Sequence, residues 1–395
     1  MTVSDTLVLG IVAGEQSGEN LAIDLLDSIK TRSGRNISLV GVGGDRLRER
    51  GLDSVFDASE IAITGVSGVL ASLPRLFLRI RQTADALIAA RPDAIVLIDS
   101  PDFSHRVARR VKRALPDTPI VKYVAPSVWA WRPDRARKMA GHIDHVLAIL
   151  PFEPEIMQRL GGPPTHYVGH PLASDTELAD IWSGRESRSQ PNGNEAFDLL
   201  LLPGSRVGEV KSLIGDFGAA VAELNRRGRT FRIHMPTLPK LVGFLESETA
   251  NWPVKPTITV DHSQKLDAFR RADAALAASG TVILELALAG VPAISCYRTD
   301  AFMKPFLPMI KIWTAALPNL ICDRPVVPEF LDTTIRPGML ARWIEEFVAP
   351  ESLAAKRQLD AFRDMRELMA TPVRPGISAA GVVLAELKSK SLSQQ

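Results

Sequence analysis

Between residues 273 and 297 the chain runs through an apolar stretch, a small-residue turn, a helical stretch, a Gly-Val-Pro stop and a second apolar stretch. Asp273-Ala-Ala-Leu-Ala-Ala278 carries no charge after its first residue, as a strand covered on both faces of a parallel sheet must. Ser279-Gly280-Thr281 supplies a tight turn and a cap. Val282 to Ala289 then reads as a helix, stopped by Gly290 and Pro292. Ala293-Ile-Ser-Cys-Tyr297 returns as a strand. A helix that begins at such a turn offers free N–H groups and a positive dipole end, which suits a phosphate. Glu285 follows Thr281 by one turn on the same face, where a carboxylate can accept both hydroxyls of a ribose. The same spacing also describes a plain crossover helix with a solvated glutamate.

The same order of elements occurs elsewhere in the chain. A strand over Leu7–Ala13 meets the turn Gly14-Glu-Gln-Ser-Gly18 and a helix over 20–30. A strand over Ile37–Val42 meets Gly41-Val-Gly-Gly44. Successive strand–glycine–helix units imply a parallel, doubly wound sheet with ligand loops at its carboxyl edge. Neither turn has G-x-G-x-x-G spacing, and Gly14–Gly18 is too short for a Walker loop and lacks its lysine, so NAD and ATP enzymes are disfavoured. Ala94-Ile-Val-Leu-Ile-Asp99 is read as a strand ending on an acid, and Pro101 forces a turn after it. Asp99 is thus either a chemical group at the ligand edge or a helix cap, a role that Asp102 would serve equally well. Tyr123 to Arg137 is read as a loop carrying Trp129, Trp131, Arg132, Arg135 and Arg137, and aromatic faces beside guanidiniums suit sugars and phosphates. A tryptophan-filled junction with exposed basic residues fits that composition as well.

Residues 182–196 are polar and aperiodic and read as part of a linker. Phe197–Leu202 restarts the strand pattern, Pro203-Gly-Ser-Arg206 turns into a helix, and strands follow at Phe231–Met235 and Ile258–Val260. Beyond about Arg336 the pattern is helical. The expected organisation is an N-terminal domain over 1–178, a linker over 179–196, a C-terminal domain over 197–364, and a terminal helix and tail over 365–395. That tail is expected to cross back to the first domain or to a partner.

At 395 residues and 46% apolar content, two domains with large cores are affordable in length and composition, and the net charge of +2 gives no field for nucleic acid. The two cysteines, Cys296 and Cys322, exclude a disulfide framework or a cysteine-rich zinc site. No signal peptide or membrane span is read, because the first apolar run lacks a basic flank and Lys304 and Lys311 interrupt the best later candidate. Over 64–81, Val66, Val69, Leu70, Leu73, Leu76, Phe77 and Ile80 recur at helical spacing, flanked by Arg75, Arg79 and Arg81. Pro74 implies a kinked helix, or two helices meeting at Leu73. The stripe is either packed on the sheet or presented to a membrane surface.

Eight short motifs occur in one order: Gly14-Glu-Gln-Ser-Gly18, Ile98-Asp-Ser-Pro-Asp-Phe103, Pro126-Ser-Val-Trp-Ala-Trp-Arg132, Leu150-Pro-Phe-Glu153, Val168-Gly-His170, Leu202-Pro-Gly-Ser-Arg206, Ala278-Ser-Gly-Thr281 and Leu317-Pro-Asn319. Together they resemble the lipid-A-disaccharide synthases, over residue 8 to about 330. Glu19 and Ala125 stand where that family usually has Asp and Ser, and the 182–196 stretch is unlike it.

The resemblance implies a GT-B architecture, two Rossmann-like doubly wound α/β domains with a cleft between them. It implies an inverting transfer of 2,3-diacylglucosamine from UDP to 2,3-diacylglucosamine 1-phosphate, giving a β-1,6 disaccharide 1-phosphate and UDP, with no cofactor. The resemblance also implies a metal-independent reaction, and the lack of a DxD motif at a strand end of the second half is consistent with leaving-group charge being met by Arg206 and helix N-termini. The second domain would hold UDP through Arg206, Ser279, Gly280, Thr281, Glu285 and Asn319. The first would hold the acceptor through Gly14, Glu15, Ser17, Gly18, Trp129, Trp131 and Arg132. Asp99 would be the general base, with His170 in reserve, and Arg206 would meet the leaving-group charge. Acylated substrates turn the 64–81 stripe into an expected membrane face, Val66, Val69, Leu70, Leu73, Leu76 and Phe77, on the cytoplasmic side of an anionic inner membrane. A homodimer is expected and nucleic acid is not. A UDP-sugar epimerase on the same fold and a non-catalytic lipid-binding protein are the alternatives.

Overall fold

The computed structural model describes residues 6–61, 66–186, 196–299 and 311–393, with the side chains of 66–73, 186 and 390–393 outside that description. Two compact units divide the chain: Met1–Pro171 with Pro308–Lys311 and Thr371–Gln395, and Leu172–Leu307 with Ile312–Ala370.

The first unit is built on a parallel sheet of β1 (Thr6–Ala13), β2 (Asn36–Val42), β3 (Ala94–Ile98), β4 (Ile120–Tyr123), β5 (His145–Ala148) and β6 (Thr165–Tyr167), in the order β2-β1-β3-β4-β5-β6. Every residue of β3 and β4 is buried, as expected of strands covered by helices on both faces. Close approach of β1 and β2 requires glycine at 41: its φ is 136°, and a Cβ there would collide with the Ile11 carbonyl. The last helix, Pro375–Ser393, packs on the Gln16–Ser33 helix, so that Ala379, Ala380 and Val383 share a core with Leu21 and Leu25. Gly376 N–H donates to Asp24 Oδ2 at 2.8 Å, and Arg32 Nη1 donates to the Ile377 carbonyl at 3.2 Å.

The second unit repeats the plan with β7 (Phe197–Leu202), β8 (Phe231–Pro236), β9 (Pro256–Thr259), β10 (Ala274–Ala278), β11 (Ala293–Tyr297) and β12 (Glu329–Leu331), in the order β12-β11-β10-β7-β8-β9. In each sheet the strand order reverses beside the first strand, between β1 and β3 and between β7 and β10. Open α/β sheets bind ligands at the carboxyl ends of such a pair.

Several expectations change. Residues 176–186 form a helix, with Ile181 and Trp182 buried, so an unstructured linker does not begin at 179. Arg185 fixes this helix by donating to the Gly290 carbonyl at 2.7 Å and the Phe269 carbonyl at 3.0 Å. Tyr123 is no loop residue: it ends β4 and is fully buried. The acid at 99 lies outside its strand, which stops at Ile98. Val66–Ala90 is one helix that runs through Pro74. Its continuation past residue 81 follows from packing, since Ile80, Ala84 and Leu87 are buried in the core of the first unit.

Candidate functional site

The register of the second sheet pairs Ala277 with Leu202, so the Pro-Gly-Ser-Arg and Ser-Gly-Thr turns leave the sheet side by side. Around them lies a cavity of about 560 Å³ lined by Gly204, Ser205, Arg206, Ser279, Gly280, Thr281 and Glu285. Two helices start at it, Val207–Arg226 and Thr281–Leu288, both pointing their positive ends at one space. Gly204 (φ 126°) and Gly280 (φ 143°) adopt backbone conformations that side chains disfavour. A Cβ at 280 would meet nothing within 4 Å, so this turn is open to a ligand.

Two residues of this site escaped the sequence reading. Glu209 Oε2 accepts the Ser205 N–H at 3.2 Å, and its Oε1 lies 2.8 Å from Arg206 Nη1. Lys265 Nζ lies 2.5 Å from Glu285 Oε2. Glu three residues into a helix is a recognisable capping signal, whereas the lysine is brought in from 20 residues away. Ser279 does not cap its helix; its hydroxyl donates to the Ala315 carbonyl at 3.2 Å. Asn319 does not belong to the cavity at all. It is 2% exposed, donates to Thr314 Oγ1 and the Val327 carbonyl, and accepts from the N–H groups of Val326 and Val327. Its whole amide is engaged in bracing a loop.

In the first unit Ala13 pairs with Ile98, so Gly14 and Asp99 also leave the sheet together. A Cβ on Gly14 would stand 3.3 Å from Ser100 Oγ, so glycine there lets the two loops touch, while Gly18 is buried in the first turn of the Gln16–Ser33 helix beside Ile98. The helix already starts at Gln16, so the expected turn ends at Glu15; Glu15 and, in the first helical turn, Ser17 are exposed. Asp99 and Ser100 are successive left-handed residues (φ 50° and 42°), a strained arrangement costing about 1–3 kcal/mol each. Lys122 helps to hold it. Fully buried, its ammonium donates to the Asp99 carbonyl, to Leu97 O at 3.3 Å and to Tyr123 O at 3.2 Å. Burial lowers its pKa to about 7, against the pull of the Asp99 charge. A lysine inside Ile-Val-Lys-Tyr was the visible signal for this residue. The Asp99 carboxylate itself has no hydrogen bond among the described residues and is half-buried, which leaves it available to a substrate.

Trp129 and Trp131 part company. Trp129 Nε1 donates to Glu153 Oε1 at 3.3 Å, and Leu150 N–H donates to the other oxygen at 3.1 Å. Burial pushes Glu153 up to about 7. Trp129 is therefore an anchor for the loop. Trp131 instead stacks with Arg132 (4.3 Å) and Arg135 (5.8 Å) at its ring. His170 is buried, with its pKa lowered to about 4 by burial.

Of the expected membrane face, the side chains of Val66, Val69, Leu70 and Leu73 lie outside the described residues. Leu76 is partly buried against the core, a correction that follows from its sharing a face with Ile80. Phe77 is 56% and Leu78 52% exposed. Among the described residues no helix is long and apolar enough to cross a membrane, and no cluster of His, Cys, Asp and Glu suits a metal.

Two doubly wound α/β units, each with its loops gathered at a switch point, define a glycosyltransferase fold of the GT-B class. The solved structures agree: Acinetobacter baumannii MurG (14% identity, TM-score 0.54, covering 92% of this chain and 99% of that one) and the S. aureus MnaA–UDP complex (12%, 0.55, 95% of each) share it. Sequence narrows the class. A profile described as lipid-A-disaccharide synthetase matches residues 9–374. The lipid-A-disaccharide synthase of Bradyrhizobium diazoefficiens is 44% identical over 96% of both chains, and that of Nitrobacter winogradskyi 42% over 96% of this chain and 95% of its own. The chain belongs to the lipid-A-disaccharide synthase family and is a glycosyltransferase. The epimerase alternative has no better support.

Proposed function

We propose that the chain transfers 2,3-diacylglucosamine from its UDP-activated form to the 6-hydroxyl of 2,3-diacylglucosamine 1-phosphate, with inversion, yielding the β-1,6 disaccharide 1-phosphate and UDP. The second unit holds the donor. Arg206 and the N–H groups of the 205–206 and 280–282 turns meet the diphosphate, and Glu285, oriented by Lys265, accepts the ribose hydroxyls. In the first unit Asp99 removes the proton of the acceptor's 6-hydroxyl as that oxygen bonds to the donor's anomeric carbon. The bond from that carbon to the UDP oxygen breaks, and the charge left on UDP is met by Arg206 and two helix N-termini. The observation that carries this reading is the second unit's cavity, where Arg206, Ser279, Gly280, Thr281 and Glu285 converge from two separate turns.

The acyl chains of both substrates place the reaction at a lipid surface. We read the protein as peripheral on the inner face of the inner membrane, with exposed Phe77 and Leu78 on the helix that carries the expected stripe. UDP release measured with and without the lipid acceptor tests the function. Release that depends on the acceptor and matches disaccharide formation is expected. Release of free sugar without acceptor would make the chain an epimerase, and failure of UDP to protect it against thermal unfolding would make it non-catalytic.

A further inference from the structure

The Pro101–Ala114 helix begins directly after the strained Asp99-Ser100 pair, and Asp102, His105, Arg106 and Arg109 follow at three-and-four spacing along one of its faces. These four, together with Arg132 to Arg135, Lys138 and Lys311, enclose a second cavity of about 700 Å³ within the first unit. Its wall is strongly cationic: Arg106, Arg109, Arg132, Arg135, Lys138 and Lys311 face only Asp102 and Asp134. Asp102 is already engaged, 2.7 Å from Arg135. Arg106 lies over Phe77 and Arg132 over Trp131, and among the described residues Arg109, Lys138 and Lys311 have no carboxylate partner. Confining this many like charges to one concavity raises its potential for anions and leaves the charges mutually repelled until one binds.

A second observation is independent of charge. His105 lines the cavity, is only 6% exposed, and its Nε2 is buried with no partner among the described residues. Its Nδ1 lies 3.2 Å from His142 Nε2. Burial, and then the charge of Lys122, lowers the pKa of His105 to about 3, so the ring is neutral near pH 7. In the tautomer in which His142 donates to Nδ1, His105 carries its proton on Nε2, where it is an unmatched donor. A buried donor at the wall of a cationic cavity calls for an acceptor that the protein does not provide.

We propose that this cavity binds a phosphate monoester and, given the reaction proposed above, that during turnover it takes the anomeric phosphate of the acceptor. Guanidiniums and ammoniums around one unmatched N–H donor suit a compact dianion with several acceptor oxygens. The position fits as well. Ser104 Oγ donates to the Asp99 carbonyl at 2.8 Å, and Asp102 and His105 on the first turns of the same helix line the cavity, so the cavity adjoins the turn that carries the general base. An acceptor sugar anchored there by its phosphate reaches Asp99 with its other end. The site also solves a recognition problem. Both substrates are diacylated glucosamines, and a terminal phosphate monoester distinguishes the acceptor from the UDP-linked donor.

The test uses the full chain in detergent, with Arg109→Gln, Lys138→Gln and the double variant. Each is assayed with 2,3-diacylglucosamine 1-phosphate and with the same lipid lacking its phosphate, and each is sedimented with phosphatidylglycerol vesicles. Removing a charge-assisted contact should raise the KM for the phosphorylated acceptor about 10-fold or more per side chain. The KM for the UDP-sugar should hold, and no further loss should occur on the acceptor without phosphate. Equal losses on both acceptors, or none on either, overturn the assignment. Reduced vesicle sedimentation with an unchanged acceptor KM also overturns it, in favour of a phospholipid headgroup site. If wild type itself makes no disaccharide, the reaction reading fails; if wild type is active and the variants behave like it, only the cavity assignment fails. Both side chains are exposed, and melting temperature checks that the variants fold. The reversal Lys138→Glu should weaken the phosphorylated acceptor further than Gln does.

Discussion

Glu209 sits inside the turn from which its own helix starts, with Oε1 2.8 Å from Arg206 Nη1 and Oε2 3.3 Å from the Arg206 N–H. One carboxylate thus accepts from a guanidinium and from backbone donors together, as a phosphate oxygen at this turn would. A diphosphate arriving there has to compete with Glu209, and Arg206 is the side chain over which they compete.

Arg206→Ala should therefore lose most activity while the fold persists, since the arginine side chain is 63% exposed and Glu209 can still cap through backbone N–H groups. The loss of a charge-assisted pair with the diphosphate corresponds to roughly 1.5–3 kcal/mol. Lysine should restore only part of it, because an ammonium cannot form the paired fork. Wild-type turnover by a folded alanine variant would remove Arg206 from the mechanism.

Asp99→Asn isolates chemistry from architecture. The backbone carbonyl of Asp99, not its carboxylate, receives Ser104 and Lys122, so the turn survives the substitution. A general base contributes about 10²–10⁴ in rate. kcat should fall in that range with UDP affinity maintained. A parallel fall in UDP affinity, read by calorimetry, would make the residue structural.

Asn319→Ala should act on stability. Both of its amide donors and both acceptor contacts lie in a buried loop, and each buried group left without a partner costs about 1–3 kcal/mol. We expect a clear fall in melting temperature with the UDP-sugar KM of the folded enzyme nearly unchanged. A stable variant with a raised KM would return Asn319 to the nucleotide site.

How far the sequence could be read depended on how local each signal was. The apolar runs of β3, β7 and β10 announce buried parallel strands by themselves, and the glycine turns after them announce ligand loops. Neighbouring strands are a property of the whole sheet, so nothing in 7–13 or 94–99 says that Gly14 and Asp99 emerge side by side. Asn319 shows the other limit. A polar residue in a short motif has no direction until its surroundings fold, and here it turns inward to Val326 and Val327. Lys122 was visible as a charge within an apolar run, but its three carbonyl partners come from β3, the turn after it and β4 together. The Val66–Ala90 stripe mixed two environments: Ile80 belongs to the core while Phe77 faces outward, and helical spacing alone does not separate them.

Glu153 gives a pH signature. Its carboxyl is pushed by burial from 4.5 to about 7, so the folded chain keeps a proton that the unfolded chain releases. Its stabilising effect is full below the unfolded value and is lost as pH rises through about 7, by an amount on the order of 3 kcal/mol. His105, His142 and His170, lowered to about 3, 4 and 4, act in the opposite sense below 6.5. The difference between wild type and Glu153→Gln therefore isolates the glutamate. The variant's melting temperature should decline less than that of wild type between pH 5 and 8; parallel curves would show that Glu153 is ionised throughout.

Phe77→Ser combined with Leu78→Ser tests the proposed membrane face. Both are more than half exposed, so the melting temperature should hold. Insertion of each is worth roughly 1.5–3 kcal/mol, and vesicle binding should weaken at least tenfold. A lower melting temperature with unchanged binding would place the lipid contact elsewhere.

The docking of the Pro375–Ser393 helix on the Gln16–Ser33 helix sets an order of events during synthesis. The residues that cover Leu21 and Leu25 leave the ribosome only after the second unit is complete at Ala370. Domains ordinarily fold as they emerge, the N-terminal one first. Here the half begun first must wait with one flank of its sheet uncovered, and it closes only after the half begun second.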